Sequence, residues 1–219
     1  MPALQIRTLP GRGGLTVRCV HLDFIAMNLA ARRFDLVSEE DYLASEELSD
    51  ARHEYLNGVL FLKGDVHGMA GGTRQHATAA INIASALHAA LRGKSWRPYV
   101  ENMKLRVQIG EDLRFYFPDV MVVCQPSASE VWEDAPTVIF EVLSDGTERI
   151  DLGEKRDAYF TIPSLNAYVV IDSRRVAVQI FRRTGAEWKT ESMPDATGVI
   201  DLPEIGCRLP LDAVYDGVL

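Results

Sequence analysis

With 219 residues, 47% of them apolar and 25% charged, the chain has the composition of a folded globular protein, which excludes a largely disordered one. A formal net charge of −8 argues against a protein that coats nucleic acid nonspecifically, although Arg92, Lys94, Arg97, Lys104 and Arg106 can still supply a local basic patch. No apolar run approaches the roughly 20 residues needed to cross a bilayer, and Cys19, Cys124 and Cys207 lie too far apart for a CxxC pair or a zinc knuckle, so a reducing cytoplasm is the expected setting.

The first 26 residues carry arginines and then an apolar stretch broken by His21 and Asp23, which does not suit a secretory signal. Met27 reads as a fresh start. Residues 1–26 are therefore expected to be an N-terminal extension and 27–219 a single domain. Ser38 followed by Glu39, Glu40 and Asp41 is a capped start of a short helix. His53 to Leu62 carries Asn57-Gly58 between apolar residues, the signature of a β-hairpin, and places Glu54 near its beginning. The glycine-rich stretch 68–72 lacks the lysine of a phosphate loop and reads as a flexible connection. A helix follows from about Arg74 to Leu91, with Ile81, Ala84, Leu87, His88 and Leu91 at helical spacing.

Beyond Gly93 the pattern changes to strands. Arg97–Ile109 and Leu113–Cys124 read as two long strands joined by a turn at Gly110, Glu111 and Asp112, and Thr137–Leu143 as a third. Asp151–Phe160 reads as a short helix ending before Pro163. Ala167–Ile171, Val176–Phe181 and Glu187–Glu191 are further strands. The order αββαβββαβββ predicts an α/β or α+β mixed sheet flanked by helices.

Two carboxylates stand out against this frame. Strand alternation places Asp119 on a face with Phe115, Phe117 and Met121, and Glu141 between Ile139 and Leu143. An acid inside an apolar strand costs several kcal/mol unless it is paired or binds a cation, and two on neighbouring strands suggest a shared cation. Pairing of each with a nearby arginine is the competing explanation. Oxygen ligands alone favour Mg²⁺ or Mn²⁺ over zinc. Lys155 lies on one helical face with Leu152 and Tyr159. Such a lysine either snorkels to water or needs an anionic partner.

The run Arg52-His53-Glu54-Tyr55-Leu56-Asn57-Gly58, the stretch from Tyr116 to Cys124 with its Pro118-Asp119, and the segment Phe140-Glu141-Val142-Leu143-Ser144 resemble the Uma-type restriction endonuclease family of the PD-(D/E)XK nuclease superfamily. Gly153-Glu154-Lys155-Arg156, Tyr159, Ile162-Pro163-Ser164-Leu165 and Leu209-Pro210-Leu211 extend the similarity, which runs from about Ser38 to Val218. The resemblance implies a restriction-endonuclease-like fold. It further implies that Glu54, Asp119 and Glu141 ligate Mg²⁺ or Mn²⁺ beside a phosphodiester. The superfamily lysine expected two positions after Glu141 is replaced by Leu143, and Lys155 is the matching residue in this family. His76 is a candidate proton carrier or donor beside the acids. By contrast, His53 should face the opposite side of its strand from Glu54.

These features point to a metal-dependent endonuclease acting on nucleic acid, with DNA the expected substrate and a homodimer expected by analogy with enzymes that cut both strands. The alternative is a catalytically idle nuclease fold that serves as an interaction module. No GxSxG elbow is present and no cysteine has a recognisable catalytic setting, which disfavours a covalent mechanism.

Overall fold

The computed structural model describes residues 36–63, 73–144, 148–195 and 197–219. The extension expected at 1–26 and the glycine-rich stretch 68–72 lie outside them. The first helix, α1 (Glu39–Glu47), starts as its sequence dictates: the Ser38 hydroxyl accepts the Asp41 N–H at 3.1 Å, and three acids occupy the first turn. The hairpin of β1 (His53–Leu56) and β2 (Val59–Leu62) turns through Asn57 and Gly58, whose φ angles are 46° and 90°. Both are positive, as a two-residue hairpin turn requires. An added methyl at Gly58 would meet Leu36 Cβ at 2.6 Å. Gly58→Ala is accordingly expected to cost about 1–3 kcal/mol in urea or thermal unfolding; an unchanged midpoint would show that the turn adapts freely.

Helix α2 (Arg74–Ala90) is capped by Thr73 and buries Ala79, Ile83 and Leu87. Ile81, expected on the apolar face, is 63% exposed, because the buried stripe runs at four-residue steps from Ala79 rather than through position 81.

The two long strands expected after Gly93 are each broken in two. The first becomes β3 (Arg97–Val100) and β4 (Lys104–Ile109); the second becomes β5 (Asp112–Tyr116) and β6 (Val120–Val123). The second break falls at Phe117-Pro118-Asp119, where proline has no N–H to give to a ladder. Then follow β7 (Trp132–Glu133), β8 (Pro136–Leu143), α3 (Glu148–Ile150), a π-helical turn (Asp151–Lys155), α4 (Arg156–Tyr159), β9 (Ala167–Asp172), β10 (Val178–Thr184), β11 (Glu187–Met193), β12 (Val199–Leu202), β13 (Cys207–Pro210) and α5 (Leu211–Val214). The hairpin β12–β13 and the short elements β7 and α5 were not anticipated.

The breaks matter because their halves join different sheets. One sheet has the order β2-β1-β5-β4-β7, the other β11-β10-β9-β8-β6-β3. In the second, β8 and β9 are parallel, and the crossover between them carries α3, the π turn and α4. The mixed α/β fold class expected from the sequence is the one observed. Against one face of the six-stranded sheet pack Ala79, Ile83 and Leu87 of α2, over Val120, Val122, Val138 and Phe140. Against the other pack Ala158 and Tyr159 of α4, over Met121, Ile139 and Leu143, with Leu105 and Tyr116 of the five-stranded sheet closing this second core. Tyr42, Tyr55 and Phe115 form a third cluster on the far side of the five-stranded sheet. Phe115 and Met121 therefore face different cores, and the single alternating face expected from Phe115 through Met121 does not exist.

The crossover is tied down by Asp172 at the end of β9. Its carboxylate accepts from Arg174 Nε at 2.8 Å and Arg175 Nε at 3.0 Å, and Arg174 also reaches Glu148 of α3 at 2.7 Å. Burial pushes the Asp172 carboxyl up, but the hydrogen bonds and charge of Arg174, joined by Arg175, outweigh it and hold the group below its ordinary value of 3.8. A depressed folded-state pKa stabilises the fold above the unfolded-state value, and that contribution is lost as pH falls through the folded-state value. Asp172→Asn is thus expected to cost about 1–3 kcal/mol at neutral pH, with the gap from wild type closing in acid-unfolding experiments below about pH 4. A gap that persists there would assign the cost to packing instead.

Candidate active site

Four carboxylates and three cations meet where the two sheets and the β8–β9 crossover approach. The register pairs Val120 with Phe140, so Asp119, one residue earlier, lies opposite Glu141. Glu141 lies on the same face of β8 as Ile139 and Leu143, as alternation predicts, and is 2% exposed. The two acids are stitched together through backbone: Glu141 Oε2 accepts the Asp119 N–H at 3.3 Å, and Asp119 Oδ2 accepts the Val142 N–H at 2.7 Å. From β1, His53 and Tyr55 are buried on one side while Leu56 packs toward the core that contains Tyr159. Glu54 shares the parity of Leu56. His53 turns the other way, to Glu46 at 2.7 Å, as expected.

Lys155 does not snorkel. Its side chain is 8% exposed, and its Nζ stands 3.1 Å from Glu54 Oε1, 3.4 Å from Asp151 Oδ1 and 3.5 Å from Glu141 Oε1. The π turn widens the helix just where the lysine enters, a distortion common at functional sites. Burial alone would lower the Lys155 pKa, but the charges of Glu141, Glu54, Asp151 and Asp119 raise it well above its ordinary value, so the ammonium stays charged. The Tyr159 hydroxyl donates to Glu141 Oε1 at 2.9 Å. His76, from the first turn of α2, places Nε2 3.2 Å from Asp119 Oδ2. Burial pulls its pKa down, but the hydrogen bond and charge of Asp119 more than compensate and raise it.

Asp119 and Glu141 are pushed apart in their titration. Burial raises Asp119, yet His76, Lys63 and the Val142 N–H together bring it below the ordinary carboxylate value. Burial raises Glu141 strongly; Lys155 lowers it, and the nearby Asp151 and Asp119 charges raise it further, leaving it well above the usual range. Asp119 is thus the carboxylate of the pair held ionised, and Glu141 the one that keeps a proton more readily. Glu54 Oε1 is buried and makes no directed hydrogen bond among the described residues, so its attraction to Lys155 is Coulombic. An all-carboxylate donor set with spare acceptor capacity suits a hard divalent cation. Glu54, Asp119 and Glu141, the residues expected to ligate a metal, are here engaged with other groups of the cluster. Lys155 bridges Glu54 and Glu141, Asp119 engages His76 and Val142, and no three His, Cys, Asp or Glu side chains among the described residues are spaced to enclose a metal ion.

Two participants were missed by sequence reasoning. Asp151 reads as an ordinary acid in a helical first turn, and its four-residue spacing to Lys155 was the available signal. Lys63 donates to the Phe117 carbonyl at 3.0 Å, and its charge bears on both Asp119 and Glu141. Of the basic groups expected to form a patch, Arg106 pairs with Glu39 at 2.8 Å, Lys94 donates to the Gly206 carbonyl at 2.9 Å, and Arg97 folds back on the Lys94 carbonyl.

Comparison with known proteins bears on the fold and the family. An uncharacterized protein of Synechocystis sp. is 28% identical over 188 residues, covering 84% of this chain and 94% of that protein. A second from the same organism is 27% identical over 154 residues, covering 68% and 82%. The crystal structure of a "putative nuclease belonging to DUF820" from Anabaena variabilis superposes with a TM-score of 0.61 at 15% identity, covering 78% of this chain and 93% of that one, which shows a shared fold. A family model matches residues 39–212, and on that span the chain belongs to the Uma2 family, described as "Putative restriction endonuclease".

Proposed function

We propose that the protein is an endonuclease that hydrolyses phosphodiester bonds of nucleic acid, DNA in the first instance, with Mg²⁺ or Mn²⁺ as cofactor. The observation that carries this reading is the burial of Lys155 Nζ among Glu54, Glu141 and Asp151, beside Asp119, in a chain of a nuclease family. Asp119 and Glu141, with Glu54, are the residues that would hold the cation, and the cation would supply acidification of water and screening of charge at phosphorus. Asp119, kept ionised by His76 and Lys63, contributes the charge that draws a cation in. Tyr159 and the Asp119 N–H fix the Glu141 carboxylate by its two oxygens. Lys155 Nζ, held charged, is suited to orient water and to stabilise negative charge on phosphate oxygens rather than to abstract a proton, because a general base needs a pKa near the working pH. His76 Nε2 holds its proton toward Asp119 Oδ2 and keeps that carboxylate in place.

The test is incubation of the purified protein with supercoiled and single-stranded DNA in Mn²⁺, beside titration calorimetry with Mn²⁺ alone. Nicking together with metal binding supports the reading. The interaction-module reading has one observation in its favour, the absence of a ready three-ligand set among the described residues. Absence of both cleavage and metal binding would favour it.

A further inference from the structure

A cleft of about 320 Å³ is lined by Arg52, Asn102, Lys104 and Phe117, with Glu46 and Asp50 at its α1 side. Two cations stand against a ring that lines it. Lys63 Nζ and Lys104 Nζ stand 5.5 Å and 5.6 Å from the centroid of Phe117, distances at which the ring attracts both ammoniums. Phe117 is two residues before Asp119, and Lys63, which donates to the Phe117 carbonyl at 3.0 Å, also bears by its charge on Asp119 and Glu141.

The acids around these cations hold them unequally. Glu46 pairs with His53 at 2.7 Å, although its charge and that of Glu47 also act on Lys104. Glu101, half exposed, pairs with Arg52 and Lys63 at the long distances of 3.7 Å and 3.9 Å. Such exposed pairs are worth little and yield readily to a stronger anion. We propose that this cleft binds the sugar-phosphate backbone of a nucleic acid strand, with Arg52, Lys63 and Lys104 contacting phosphates and Glu101 acting as the internal anion that the strand displaces. The direction of the strand, from the cleft into the acidic cluster, rests on the nuclease reading above.

A fluorescein-labelled single-stranded 20-mer, titrated with full-length protein in EDTA and low salt, tests this by anisotropy. Lys104→Glu and Arg52→Glu are each expected to weaken binding about tenfold and to flatten its dependence on salt. Glu101→Gln, which removes the competing anion, is expected to tighten binding about threefold. Arg52 and Glu101 are exposed, so their variants keep the test valid even where Lys104→Glu folds poorly. Wild-type protein that binds no oligonucleotide, or binding that neither basic variant weakens, overturns the cleft. Hydrolysis of bis(p-nitrophenyl) phosphate by wild-type protein in Mn²⁺ reads the acidic cluster separately. Binding lost in the basic variants of a protein that never hydrolyses this ester or DNA keeps the cleft and overturns the nuclease reading instead.

Discussion

Replacing Asp119 by asparagine is expected to lower phosphodiester cleavage by about a thousandfold or more, while moving the thermal midpoint by no more than a few degrees. The two readouts separate because the substitution removes charge but little structure. An asparagine carbonyl oxygen can still accept the Val142 N–H that Asp119 Oδ2 now accepts at 2.7 Å, so the link between the β5–β6 junction and β8 survives. The lost charge is one that raises Glu141, so its removal relieves repulsion inside the cluster and offsets the weakened contact with His76. What disappears is the one carboxylate of the Asp119–Glu141 pair that the surroundings keep ionised. Nicking assays and calorimetric scans on the same preparation check this. Activity within tenfold of wild type would remove Asp119 from the chemistry, and a large fall in midpoint would give it a structural role.

How far the site could be read in the sequence depends on which physical signal each residue leaves. Glu141 sits in an eight-residue strand buried along its whole length, so an acid there breaks an apolar run and is conspicuous. Asn57-Gly58 encodes its turn through two positive φ angles, and the hairpin that carries Glu54 follows. Glu54 itself lies in a four-residue strand and is only partly covered there, where acids are common, and only the family resemblance drew attention to it. The breaks at Glu101-Asn102-Met103 and Phe117-Pro118-Asp119 were hidden because period-two alternation describes a strand but not the sheet it joins, and apolar residues continue through the second break. Pro118 was the available signal. The π turn was unreadable for a related reason: one extra residue in a helical turn leaves composition unchanged while rotating every later side chain.

The same turn makes Lys155 the residue whose removal should cost most in stability. Lys155→Met preserves most of the side-chain volume and the apolar stem but deletes the ammonium that stands within 3.5 Å of Glu54, Glu141 and Asp151. Taking one partner from a buried ionic group leaves charge uncompensated at about 3–5 kcal/mol, which for a chain of this size corresponds to a fall of roughly 10 °C in the midpoint. Part of that loss is softened by protonation of Glu141, already raised by burial, so the deficit should shrink as pH is lowered. A divalent cation supplies a second way to restore balance. Millimolar Mn²⁺ is therefore expected to raise the midpoint of Lys155→Met by more than it raises that of wild type, since a ligand at a hundred times its Kd adds about 2.7 kcal/mol. The variant should recover its fold in Mn²⁺ while its cleavage of DNA stays about a hundredfold or more below wild type, because the ammonium proposed to stabilise phosphate oxygens is still missing. Equal stability of the variant and wild type in EDTA would show that the acids do not depend on the ammonium. Recovery of both fold and cleavage in Mn²⁺ would restrict Lys155 to holding the cluster together.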